Sequence, residues 1–142
     1  MKKSLIFLIS VMMILLTACG GSEDAGTAYT EVNLEEGITF TLNEDTLKSS
    51  RATFTLSNDT ESAVQYSTQE YHFEQMKEGQ WTEFTGTAQS AWSDDTTTLE
   101  AGETVELSYD WKVLCGNTSK DTQYRLIILV NDSPVAAEFT GN

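Results

Sequence analysis

From Val32 onward the apolar residues of this chain alternate with polar ones instead of recurring every three or four positions, and that property restricts the fold to sheets. Ile38-Thr39-Phe40-Thr41-Leu42 alternates strictly. Ala52-Thr53-Phe54-Thr55-Leu56 does the same, with Phe54 and Leu56 facing one way and the threonines the other, as in a sheet with one wet face. Val105, Leu107, Tyr109 and Trp111 give the best-patterned strand in the chain.

The remaining segments fit the same scheme. A third strand is expected over Val64 to Phe73, with a slip of alternation near Gln69-Glu70 that suits a β-bulge. Met76 to Trp81 reads as a hairpin with Gly79 at its tip, returning through Trp81 to Phe84. Thr85 to Thr97 is polar apart from Trp92 and reads as the longest loop, followed by a turn over Leu99 to Glu103. Cys115 to Asp121 is a second loop, and Asn43 to Thr46 and Asn58 to Thr60 are turns. Tyr124 to Val130 is apolar almost throughout, as in a central strand covered on both faces or in one at the sheet ends. Asn131 to Pro134 turns it into Val135 to Phe139, where Pro134 at the strand start needs no N–H partner. These are seven or eight short strands at spacings of ~8–12 residues with no convincing helix, the pattern of an all-β antiparallel sandwich.

The first thirty residues differ in kind. Met1-Lys2-Lys3 supplies a positive start and Leu5 to Leu16 an apolar run of 12 residues, the two parts of a secretory signal. A transmembrane helix needs ~20. Leu16-Thr17-Ala18-Cys19 then resembles the lipobox of bacterial lipoproteins. The resemblance implies a diacylglycerol thioether on Cys19, cleavage after Ala18 and a lipid-anchored protein on the extracytoplasmic face of the cell membrane. Two acyl chains suffice for stable anchoring, since each buried CH₂ contributes ~0.8 kcal/mol. The domains expected are a cleaved signal over 1–18, a flexible acidic tether over 19–31 and a sandwich over 32–142.

Charge and cysteine content narrow the chemistry. The formal charge of −14 becomes −16 once Lys2 and Lys3 are removed with the signal. So acidic a domain repels phosphate polymers, which excludes nucleic acid as a partner. With Cys19 acylated, Cys115 has no second cysteine to pair with, and the domain must hold together by packing.

Several short pieces occur in a suggestive order: Thr55-Leu56-Ser57-Asn58, Lys77-Glu78-Gly79-Gln80-Trp81, Leu99 to Glu103, Asp110-Trp111, and Gly116 followed by Tyr124-Arg125. Together they resemble the bacterial Ig-like domains found in exported proteins of Gram-positive bacteria. The resemblance implies an immunoglobulin-like sandwich over roughly Ile38 to Phe139. Cys115 stands where that family tends to carry an aromatic residue.

Catalytic constellations are hard to assemble. His72 is the only histidine and sits inside an expected strand, so neither a Ser-His-Asp arrangement nor a multi-histidine zinc site can form without it. Pairs such as Glu70 and Glu74 arise by chance among 22 acidic residues. No enzyme activity and no cofactor or metal are expected. The acidic turns at Asn43-Glu44-Asp45, Asp94-Asp95 and Asn131-Asp132 show no recognisable calcium spacing. Trp92 beside Asp94 and Asp95 is the candidate contact for a ligand, against a competing role in pinning its loop. Trp81 and Trp111 are core candidates, Tyr124 resembles a tyrosine corner, and Arg125, inside an apolar strand, needs a carboxylate. Cys115 reads as a small buried hydrophobe. The function expected is that of a cell-surface module binding a protein or glycan, or supporting structure. The alternative is an inhibitor of an exported peptidase acting through Gly86–Thr97.

Overall fold

The computed structural model describes residues 26–84, 87 and 90–142. The signal peptide, Cys19 and the first part of the tether lie outside the described residues. In chain order the strands are β1 (Ile38–Leu42), β2 (Arg51–Asn58), β3 (Val64–Ser67), β4 (His72–Lys77), β5 (Gln80–Glu83), β6 (Thr96–Leu99), β7 (Thr104–Asp110), β8 (Gln123–Val130) and β9 (Ser133–Thr140). A single 3₁₀ turn spans Glu44–Thr46, and a one-turn helix, α1, spans Lys112–Cys115.

Two antiparallel sheets face each other. One has the order β1-β2-β7; the other runs β5-β4-β8-β3-β6, with β9 on β8. Their alternating residues meet in one core. Phe54, Leu56 and Phe40 from the smaller sheet meet Phe73, Tyr124, Leu126, Ile128 and Phe139 from the larger, and Trp111 closes one end. Aromatic rings tie the layers: Phe54 lies 5.9 Å from Phe139, and Trp111 stacks at 4.8 Å on Phe73. Fully burying one such side chain contributes about 1.5–3 kcal/mol, so the pairing of the sheets needs no disulfide.

The expected third strand divides in two. Tyr66 pairs with Val130 and His72 with Ile127, so five intervening residues on one side face two on the other. That excess is too large for a simple bulge, and the chain loops out over Thr68–Tyr71. The polar stretch expected as loop to Thr97 also ends early, because Thr96–Leu99 pairs with β3 as β6. Two hairpins turn as expected, with paired positive φ at Glu78-Gly79 (51° and 79°) and Asn131-Asp132 (48° and 63°). Such angles define the turn that matches strand twist.

One end of the sandwich is held by Asn58, which is fully buried. Its amide donates to the carbonyls of Ser62, Leu99 and Glu100 at 2.8, 3.1 and 3.1 Å, while its Oδ1 accepts from the Thr60 N–H and hydroxyl. Two connections between the sheets therefore hang on one side chain. Asn58→Ala leaves three carbonyls without their donor and should destabilise the domain by about 3 kcal/mol. The check is a lower urea midpoint with an unchanged slope.

Candidate functional site

Residues 26–31, expected as the last part of the tether, and the two that follow are joined to the domain. Gly26 pairs with Thr82 on the open edge of β5, and the chain then crosses the outer face of the larger sheet. Tyr29 packs on His72 with ring centroids 5.0 Å apart. Asn33 ends the crossing at β9: its N–H donates to Pro134 O at 3.0 Å, and its side-chain amide both donates to and accepts from the backbone of Ala136. We call this segment the strap. The amide of Asn33 takes the place of a neighbouring strand and blunts the β9 edge.

Under the strap lies the carboxylate that Arg125 requires. Arg125 on β8 and Glu74 on β4 are register partners on the outer face, and their side chains form a buried ion pair. The guanidinium is further held by Thr27 Oγ1 at 3.2 Å and Tyr29 O at 2.8 Å, and it sits 4.7 Å from the centroid of Trp81. Trp81 is thus not a core residue. Its neighbour across the hairpin is Met76, on the same face as Glu74, and the ring serves as a platform for a cation. Ile127, also on this face, is completely buried, which explains why β8 reads as apolar on both sides.

The only histidine belongs to the same region. His72 Nε2 lies 2.8 Å from Glu70 Oε1, with Tyr29 on one side and Trp92 at 6.4 Å. Glu70 and Glu74 therefore have separate partners and do not form a carboxylate pair. Among the described residues no group of His, Cys, Asp and Glu is placed to hold a metal ion.

Trp92 and the two aspartates beside it part company. The indole packs against the core, 5.2 Å from Tyr71, and donates to Thr87 O at 3.3 Å. Asp94 and Asp95 instead face a surface cleft of about 480 Å³ with Gln65, Ser67, Asn131 and Asp132 in its walls. Two of the three acidic turns meet there; Asn43-Glu44-Asp45 does not, its Asn43 side chain bonding Thr55 and Glu106 elsewhere. Ser93 Oγ donates to the Asp95 carboxylate and fixes its direction.

Tyr124 has the corner geometry, its hydroxyl accepting from the N–H of Ser119, five residues upstream, at 2.8 Å. Cys115 is buried, and burial, followed by the nearby Glu83 carboxylate, pushes its thiol up to about 12. Tyr71 is pushed up to about 12, chiefly by burial and then by Cys115 and Asp110, and Tyr109 is raised by burial and by Tyr66 and Tyr71. The Tyr71 hydroxyl is buried and has no hydrogen-bond partner among the described residues.

The two sheets, the tyrosine corner and the buried tryptophan against the opposite sheet define an immunoglobulin-like sandwich. A family model described as a bacterial Ig-like domain matches residues 34–140, and the chain belongs to that family. No curated protein matches. Among solved structures, the Pseudomonas fluorescens alkylpurine DNA glycosylase AlkC, bound to DNA containing an abasic site analogue, is similar at 15% identity and a TM-score of 0.38. The likeness covers 75% of this chain and 30% of that one, and at that score it bears on neither fold nor activity.

Two outcomes are expected. Arg125→Met leaves Glu74 buried and unpaired, at a cost of about 3–5 kcal/mol, whereas Arg125→Met with Glu74→Leu recovers most of the loss. Urea unfolding of the single and double variants checks this. Second, the unfolded chain releases the Cys115 proton near pH 9 and tyrosine protons near pH 10, while the folded chain retains them until about 12. Protons are then bound in greater number by the folded state, so stability falls as pH rises through this window. Urea midpoints at pH 7, 9 and 10.5 measure the decline.

Proposed function

We propose that this chain is a membrane-anchored, extracytoplasmic lipoprotein whose Ig-like domain binds or supports a partner at the cell surface. The observation that carries the reading is the lipobox-like Leu16-Thr17-Ala18-Cys19 only 15 residues ahead of the family match at 34–140. Membership of a bacterial Ig-like family, whose domains typically occur in exported proteins, supports an extracytoplasmic location.

The surface assigned to the partner is the acidic cleft of Asp94, Asp95 and Asp132, whose donors and acceptors suit a basic peptide or a polyol. Trp92 contributes by holding the loop that carries Asp94 and Asp95, not by stacking on the ligand. Within Gly86–Thr97, Thr96 and Thr97 belong to β6 and Trp92 packs against the core, which does not favour an inhibitory loop.

Growth of the producing bacterium on radioactive palmitate should label the protein, and Cys19→Ser should abolish the label and release the chain from membranes. An unlabelled wild-type protein overturns the anchor. Asp94→Asn with Asp95→Asn should weaken capture of the surface partner without lowering the urea midpoint. Equal capture by this variant removes the cleft from the reading.

A further inference from the structure

The sandwich has strand edges on both sides, and the fold covers them unequally. Gly26 pairs with the edge of β5, and the Asn33 amide occupies that of β9. β1 lies against β9, so the two edges on that side approach one another. β6 has only the four residues Thr96–Leu99, and shortness is itself a protection. β7 is different. It runs for seven residues, Thr104–Asp110, and pairs with β2 and no other strand among the described residues. Its register with β2 is continuous, and it contains no proline, lysine or bulge of the kind that guards an open edge.

The ladder shows which backbone groups are left over. Trp111 N–H donates to Ser50 O and Asn58 N–H to Glu103 O, each at 2.9 Å, so odd-numbered residues along β7 exchange their bonds with β2. Glu106 and Ser108 therefore turn their N–H and C=O groups to the open side. Among the described residues no group bonds to them there.

The side chains leave that side clear. Glu106 Oε1 accepts from the Asn43 amide at 3.0 Å, and the Ser108 hydroxyl lies 2.7 Å from that of Thr53, so both lean across β2. On the inner face Val105 and Leu107 pack against the core yet are only half-buried, while Tyr109 is buried. Their uncovered surface is what a further strand beside β7 would bury.

Charge identifies the occupant. From Glu78 to Asp110 the chain has no Lys, Arg or His. Arg51 stands opposite Asp110, but Glu106 stands opposite Thr55. Asn43 holds the Glu106 carboxylate with a neutral amide, and the Glu103 carboxylate accepts from the Glu100 N–H. Neither contact supplies a countercharge. A second copy of β7 would bring these acids against their own kind, on chains of formal charge −14.

We propose that the β7 edge accepts an extended protein segment with Lys or Arg at alternate positions and apolar residues between them. Its backbone bonds the free N–H and C=O groups of Glu106 and Ser108, its cations lie on the outer face beside Glu106, and its apolar side chains cover Val105 and Leu107. β7 contributes nothing to the cleft of Asp94 and Asp95, so this surface is separate from that one, and it stands whether or not Cys19 carries a lipid.

The test uses the full chain with two short synthetic peptides, one alternating lysine with valine and one alternating glutamate with valine. At millimolar lysine peptide, amide hydrogen exchange at Glu106 and Ser108 should slow roughly tenfold, with no change from the glutamate peptide. Ser108→Pro removes one outward N–H without touching the β2 ladder, so it should abolish the slowing at Glu106 while the urea midpoint stays nearly unchanged. Glu106→Gln keeps an acceptor for Asn43 and should weaken the lysine peptide roughly threefold. No slowing at these two amides overturns the proposal, and so does equal slowing by the glutamate peptide. Undiminished binding to Ser108→Pro reports attraction to the acidic surface at large and overturns it as well. Slowing that grows with protein concentration in the absence of peptide assigns the edge to a second copy of the chain, which also overturns it.

Discussion

The path of the strap depends on one buried charge. A guanidinium on the outer face of a sheet would ordinarily be solvated, but here Arg125 lies beneath residues 26–33 and has lost that water. Desolvating an ion costs several kcal/mol, and the cost is offset only when each donor is satisfied. Glu74 supplies the countercharge at Nε, Thr27 and Tyr29 both accept from Nη2, and Trp81 presents its face. Thr27 and Tyr29 can reach the same nitrogen in one placement of the strap only. An apolar pair could bury as much surface, yet it would not select that placement.

The consequence is a sheet covered on both sides. On the inner face Phe73, Tyr124 and Phe139 stack in sequence, with centroids 5.5 to 6.0 Å apart, and bring Trp111 with them. On the outer face Ile127 and the ion pair are sealed by the strap. β8 therefore lies in the middle of everything, paired along its whole length with β9 and on its other edge with β4 and β3. The Ser119–Tyr124 bond and the close approach of Gly141 to Ser119 fix how the loop before β8 meets the last strand; a Cβ at Gly141 would come within 2.2 Å of Ser119 O. The domain holds its connections by such single contacts.

Alternation made β1, β2, β7 and β9 legible, because each has one wet face and one dry face. The unbroken apolar run of β8 left a central place or one at the sheet ends open, and the need of Arg125 for a carboxylate could be stated before the partner was known. What could not be read was pairing over distance. β6 has a single inward residue, Leu99, among three threonines, so its strand character comes from β3 beside it and not from its own pattern. The strap was opaque for a similar reason. Its composition is that of a tether, and its fixed course comes from one pairing at Thr82, one ring on His72 and the donors of Arg125. Trp81 and Trp92 showed the limits of residue type: both bury indole surface, but the side of the sheet and the company they keep followed from register.

The strap also decides where the chain enters the domain. Without it, the chain leading to residue 38 would start at the far end of β1, beside the acidic loops near Asn58 and Glu103. By doubling back across the outer face, residues 26–33 carry the point of departure to the β5 edge near Gly79 instead. The Arg125–Glu74 pair thus does more than fill an outer-face cavity. Holding the strap in register fixes the β5 edge as the place where the described chain begins.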